Sequence, residues 1–369
     1  MEMCILDSND ITEPGCFVFD DSYLTLKFTG KKDELNTLNT LLYSTVDTRL
    51  LHQRLLAYGS IKDFLIFIDS NRDVLENPFI NELKTLIQLK SHFIHLPHSG
   101  KLSFEKPLIM GVINATDDSF YDQSRILDEK KLEECVRIMI YEGVDVVDIG
   151  GESSRPGANP IDEELEIRRV VPFVKKIREF SDIPISVDTY RCVTAEKAIH
   201  AGADIINDIS ALKFDKEMAN FAALNDVPVV LMHMKGTPST MQRMAQYSDV
   251  VVEIKSFFSG RIAYAQQMGI KRENIILDPG IGFGKKRTDN LKILKHLDAF
   301  HTFRLPLLLG TSRKSFIGEV LNQNDPIERL SGTLATTALG VQKGVHIFRV
   351  HDVQENRHIA DMVFNIEES

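Results

Sequence analysis

The sequence predicts a (β/α)8 barrel preceded by a small α+β module. Three observations carry this. Eight short runs rich in Val, Ile and Leu lie between residues 108 and 352, a segment with apolar residues three and four apart follows most of them, and the first hundred residues break that alternation. Eight β-then-α units suit a closed barrel better than a doubly wound open sheet, which usually has fewer strands.

The module comes first, over residues 1–104. "CFVFDDSYLTLKFTG" (16–30) alternates as strand material and "KKDELNTLNTLLYS" (31–44) has helical spacing. "FLIFID" (64–69) reads as a short apolar strand and "NPFINELKTLIQLKS" (77–91) as a second helix. His52, His92, His95 and His98 lack acidic partners at ligand spacing, so the module is expected to be structural or an oligomerisation element, with no catalytic role assigned.

The barrel follows over residues 105–369. Its predicted strands are "LIMGVIN" (108–114), "VDVVDIG" (144–150), "PISVDT" (184–189), "ADIINDIS" (203–210), "VPVVLMHM" (227–234), "NIILDPG" (274–280), "LPLLLG" (305–310) and "VHIFRVHD" (345–352). Continuous apolar character marks them as strands buried on both faces. Helical spacing recurs between them, as in "DEKKLEECVRIMIYEG", "DEELEIRRVVPFVKKIREF", "SDVVVEIKSFFSGRIAYAQQMG" and "PIERLSGTLATTALGVQKG".

Composition narrows the chemistry. The 369 residues are 43% hydrophobic and 26% charged, with a formal net charge of −10. That charge offers no footprint for nucleic acid or an anionic membrane, so an anionic substrate must be held by a local cluster. Cys4, Cys16, Cys135 and Cys192 are far apart with no C-x-x-C pair, which fits a reducing compartment and argues against disulfides or zinc. The N-terminus is acidic and no apolar run approaches about 18 residues, so a cytoplasmic protein is expected.

In such a barrel the chemistry gathers at the C-terminal strand ends. Here every strand ends on a polar group: Asn114, Asp148, Asp188, Asn207 with Asp208, His233, Asp278, Lys314 just beyond its strand, and Arg349 with His351. Asp188, Asn207 and Asp278 are short and follow buried strands, so they should lie low in the mouth, where desolvated carboxylates need partners. A planar heterocycle with adjacent N–H donors and ring acceptors would satisfy them. Asn114, Arg155, Arg313, Lys314, Arg349 and His351 form a second set, expected nearer the rim, that suits a phosphate-bearing group bridged by a hard cation such as Mg2+. "NATDDSFYDQS" (114–124) and "GGESSRPGA" (150–158) are placed to act as lids. "DPGIGFGKKR" (278–287) lacks the G-x-x-x-x-G-K-[ST] pattern and is not read as a nucleotide loop.

Taken in order, "MGVINATDDSF", "DVVDIGGESSRPGA", "ISVDTYR", "ADIINDIS", "LMHM", "DPGIGFGK", "GTSRKSFIG" and "RVHDV" resemble the dihydropteroate synthase family over roughly residues 107–365. The resemblance implies a transferase joining 7,8-dihydropterin-6-ylmethyl diphosphate to 4-aminobenzoate, with release of diphosphate through a carbocation-like transition state. Carried over by motif, Asp188, Asn207, Asp278 and Lys314 would hold the pterin, with Met232 and Phe283 beside its ring. Asn114 would ligate Mg2+, while Arg155, Arg349 and His351 would contact the diphosphate. Phe120, Ser154, Pro156 and Ser315, with Lys314, would form the aminobenzoate pocket. Arg313 either joins the anion set or packs against a neighbouring helix. In the first lid Ala115, Asp117, Tyr121 and Gln123 replace the Val, Pro, Ser and first Gly of the family's N-V-T-P-D-S-F-S-D-G-G, and in the second Ser154 replaces the usual Thr. Two alternatives stay open: a non-catalytic pterin-binding paralogue, and a pterin-dependent methyltransferase, which has no need of the anion contacts. A homodimer through the late helices is expected.

Overall fold

The computed structural model describes residues 2–5, 23–29, 31–43, 46–51, 54–71, 93–115, 125–153, 157 and 160–369. The chain divides into two compact units, Met1–His92 and Phe93–Ser369.

The first unit is an antiparallel sheet in the order Glu2–Ile5, Tyr23–Thr29, Arg54–Ser60, Asp47–Leu51, with helices Lys32–Leu42 and Ile61–Ser70. Leu26 and Phe28 alternate inward on one strand and Leu55 and Ala57 on its neighbour. Leu35, Leu38 and Leu42 meet them from the first helix, and Phe64, Phe67 and Ile68 join the same core from the second. "FLIFID" is therefore helical, not a strand. Burial at 64, 67 and 68 with Ile66 exposed follows the helical period, which an apolar run this short does not reveal by itself. The antiparallel pairing of Asp47–Leu51 with Arg54–Ser60 has no counterpart among the predicted elements, since no Gly or Pro lies between the two segments in the sequence. The expected helix over 77–91 lies outside the described residues.

The second unit is the barrel. Its strands are β1 (Leu108–Asn114), β2 (Val146–Gly150), β3 (Ile185–Asp188), β4 (Ile205–Asp208), β5 (Val229–Met232), β6 (Ile275–Asp278), β7 (Leu308–Leu309) and β8 (Ile347–Val350). Each falls inside its predicted window. All neighbours are parallel, β1 pairing with β2 and β8, and the seam between β6 and β7 is closed by a bridge from Leu277 to Leu307. There the Leu277 amide donates to Pro306 O at 2.9 Å.

Alternation along the strands builds the core. Met110, Val146, Ile205, Val230, Ile276, Leu308 and Ile347 pack together as one layer, while the neighbouring Val147, Ile206, Leu309 and Phe348 belong to a second layer with the helices. The first layer also contains Ile94, Leu96 and Leu102 from a hairpin, Phe93–Leu96 with Gly100–Ser103. Its turn is tied to buried Asp204, which accepts from the His98 amide at 2.9 Å, the Ser99 amide at 3.0 Å and the Ser99 hydroxyl at 2.8 Å. The unit boundary consequently falls after His92, earlier than residue 104, because these residues complete the barrel's own core.

Candidate active site

Strand parity explains which strand-end groups meet. Val146, Ile205, Val230, Ile276 and Ile347 are interior residues. Two positions further along the same strands stand Asp148, Asn207, Met232, Asp278 and Arg349, and Asp188 holds the equivalent place on β3 after buried Ser186. The residues that close the apolar layer are thus followed by a mostly polar layer at the mouth.

Arg349 organises this layer. Its Nε donates to Asp148 Oδ2 at 2.7 Å and an Nη donates to Asp188 Oδ2 at 2.9 Å. Asn207 Nδ2 adds longer contacts to the two Asp148 oxygens at 3.4 and 3.3 Å. Burial opposes the guanidinium's charge, yet the carboxylates of Asp148 and Asp188 outweigh it and hold its pKa above the ordinary value. For Asp188 the balance is reversed: burial pushes its carboxyl up to about 7, with Arg349 opposing and Asp148 adding like-charge repulsion. The expected placing of Arg349 with the rim set is therefore corrected. Arg349 lies in the layer of Asp188, because β8 projects it from the same inward register.

Asp278 completes the layer from β6. It is 6% exposed, and burial raises its carboxyl pKa against the pull of Lys314. One of its oxygens accepts from the Gly280 amide at 2.7 Å, starting the loop that follows. Lys314 donates to Ile281 O in that loop at 2.5 Å and lies 4.8 Å from the centre of the Phe283 ring. Burial brings the Lys314 amine down to about 8, while Asp278 and Asp188 favour its charge. Met232 is buried in an apolar cluster with Ile209, Met234 and Met241, against which Phe283 and Tyr190 pack. Side by side, these groups present carboxylates and an amide for N–H-bearing ring edges, apolar surface for a ring face, and two cations.

Other expected residues stand apart. Arg313 forms a two-pronged ion pair with Asp352, the residue before helix Val353–Glu367, with one contact at 2.9 Å. Its guanidinium is thus paired at the start of that helix. His351 is exposed, its Nδ1 lying 3.0 Å from Ser312 Oγ, and Ser315 is exposed at the start of helix Ser315–Leu321. Asn114 ends β1 half-buried. Phe120, Ser154, Arg155 and Pro156 lie outside the described residues, as do Asp117, Tyr121 and Gln123.

Three features went unassigned in the sequence. Asp148 is one: its place two residues after interior Val146 is the signal that would have found it. A second is the group around Arg191, which donates at 2.7 Å to both Glu152 and Glu166, while Tyr190 donates to Glu152 at 2.8 Å. It ties the end of β3 to the loop after β2. The third is a buried pair, His233 and Lys285, with Nδ1 and Nζ 2.9 Å apart. Burial brings the His233 imidazole down to about 2, so it is neutral and faces away from the polar layer by parity with Met232.

A family profile described as "Pterin binding enzyme" matches residues 110–351. The dihydropteroate synthase of Clostridium beijerinckii is 46% identical over 260 residues, covering 70% of this chain and 93% of that protein. That of Bacillus subtilis is 43% identical over 276 residues, covering 74% and 93%. The chain belongs to the dihydropteroate synthase family. Solved structures agree. The Yersinia pestis dihydropteroate synthase in a sulfonamide drug complex superposes with a TM-score of 0.69 at 38% identity, covering 73% of this chain and 97% of that one. The Xanthomonas albilineans dihydropteroate synthase with 4-aminobenzoic acid gives 0.69 at 36% identity, covering 74% and 98%.

Proposed function

We propose that the protein is a dihydropteroate synthase, a transferase of the folate pathway that condenses 7,8-dihydropterin-6-ylmethyl diphosphate with 4-aminobenzoate. The observation that carries this is the layer in which Asp188, Asn207 and Asp278 share one barrel mouth with Arg349 and Lys314. Asp278 and Asp188 accept hydrogen bonds from the N–H edges of the pterin, and Asn207 offers one donor and one acceptor. Met232 and Phe283 cover the ring.

The same groups suit the reaction. Departure of diphosphate leaves positive charge on the conjugated ring and methylene, which nearby carboxylates favour. No protein nucleophile is needed; the protein positions the amine and excludes water. Lys314 reaches toward ring and aminobenzoate alike, with Phe120, Ser154, Pro156 and Ser315 as the further aminobenzoate contacts. Arg155 and His351 take the diphosphate, with Arg349 between ring and tail. Among the described residues no group of three or more His, Cys, Asp or Glu could hold a metal ion. Asn114 offers a single amide oxygen and is the residue that would hold Mg2+, a hard cation that takes oxygen ligands. When bound, the ion supplies neutralisation of the leaving group's charge.

No helix among the described residues is long and apolar enough to cross a membrane. Cys135 and Cys192 are free thiols, consistent with a cytoplasmic enzyme. Exposed Val320, Leu321 and Ile327 beside the late helices support a homodimer. The test is incubation of the full chain with both substrates. Dihydropteroate and diphosphate should appear together, whereas binding of the pterin substrate without diphosphate release would identify a non-catalytic paralogue.

A further inference from the structure

Lys285 has no part in the reaction above, although it is 4% exposed and lies just behind the site. Its Nζ has acceptors at Gly280 O (2.8 Å), Phe283 O (3.0 Å) and His233 O (3.1 Å), beside His233 Nδ1. Desolvating an amino group is costly unless acceptors replace its water, and these carbonyls do so. Burial still drives its pKa well below the ordinary lysine value, with Asp278 opposing.

Two of the carbonyls belong to the loop after β6. That loop curls through left-handed backbone at Gly280 (φ 67°), Gly282 (φ 84°) and Gly284 (φ 62°). A Cβ on Gly280 would stand 2.1 Å from His233 O, so the loop is pressed against the end of β5. The face turned toward the site then offers Ile281 O and the Phe283 ring to Lys314.

We propose that Lys285 is a positioning residue of the pterin site: its buried amino group gathers the carbonyls of Gly280 and Phe283, so that Ile281 and Phe283 hold Lys314 facing Asp278. The proposal rests on the pterin reading, and its test separates the two. In full-length Lys285→Ala, calorimetric affinity for 6-hydroxymethyl-7,8-dihydropterin should fall roughly 10- to 100-fold, the loss expected for hydrogen bonds to a charged group. Propylammonium, which replaces the missing atoms, should restore part of it. Without ligand, exchange of the Phe283 amide, bonded to Gly280 O at 3.1 Å, should accelerate. Tyr247→Phe removes the neighbouring bond to Gly284 O and should leave affinity near wild type. Where the alanine variant does not fold, Lys285→Gln, which keeps N–H donors, should fold with intermediate affinity and faster Phe283 exchange. A folded position-285 variant with wild-type affinity and wild-type exchange overturns the proposal. Wild-type protein that fails to bind the pterin, with accelerated exchange in the variant, instead overturns the pterin reading and leaves the loop pin standing.

Discussion

Replacing Arg349 by Met probes the charge network at its centre. The Asp148 side chain is fully buried and that of Asp188 is 11% exposed, and both accept from the one guanidinium. Removing one partner of a buried ion pair leaves an uncompensated charge, which costs about 3–5 kcal/mol. At about 2 °C per kcal/mol for a domain of this size, the barrel transition should fall by roughly 6–10 °C at pH 8. The pH dependence carries the sign. Asp188 titrates at about 7 in the folded protein against an ordinary 3.8, so its ionisation works against folding as pH rises through that window. Without Arg349 its pKa climbs further. The deficit of Arg349→Met should therefore shrink at pH 5, where Asp188 is protonated, and Asp148→Asn combined with Arg349→Met should recover part of the loss at pH 8. Thermal unfolding of ligand-free protein at both pH values is the assay. A deficit under about 1 kcal/mol at pH 8, the worth of an exposed pair, would refute the reasoning, as would a deficit independent of pH.

Three further outcomes follow from the same geometry. The pH profile of kcat/KM for the pterin substrate should be a narrow bell, rising as Asp188 ionises near 7 and falling as Lys314 loses its proton near 8; a flat profile from pH 6 to 9 would count against both roles. Arg313→Met breaks the pair with Asp352, whose side chains are 29% and 13% exposed, so unfolding should show a loss of about 1 kcal/mol while steady-state KM values stay unchanged. Gly280→Ala forces a side chain into left-handed backbone against His233 O, and denaturant titration should show a loss of about 2–5 kcal/mol; a near-neutral result would mean the loop is not pressed on β5.

All eight barrel strands were legible in the sequence because buried parallel strands are short, apolar and punctuated by Gly or Pro. The site was partly legible. Asp188, Asn207 and Asp278 stood out as polar residues ending apolar runs, and the structure brings them into one layer with Lys314. The height of Arg349 within the mouth is not legible in the sequence, since side-chain length suggests reach toward the rim while the pull of two carboxylates, Asp148 being 201 residues away in sequence, draws it inward. Parity would have separated His233 from Met232. No local pattern announces a buried lysine such as Lys285, whose acceptors are mostly backbone carbonyls brought near by a glycine-rich curl. In the first unit, "FLIFID" carries too few residues for its period to be decided before its packing partners are known.

The most direct measurement is calorimetric titration of 6-hydroxymethyl-7,8-dihydropterin, which has no diphosphate tail, into wild-type protein and Asp278→Asn. Ring recognition by the carboxylate layer predicts clear binding to the wild type and a loss of roughly 100-fold in the variant, since donors on the ring would meet an amide that cannot accept from both. Equal affinity in the two proteins, with both folded, would contradict it.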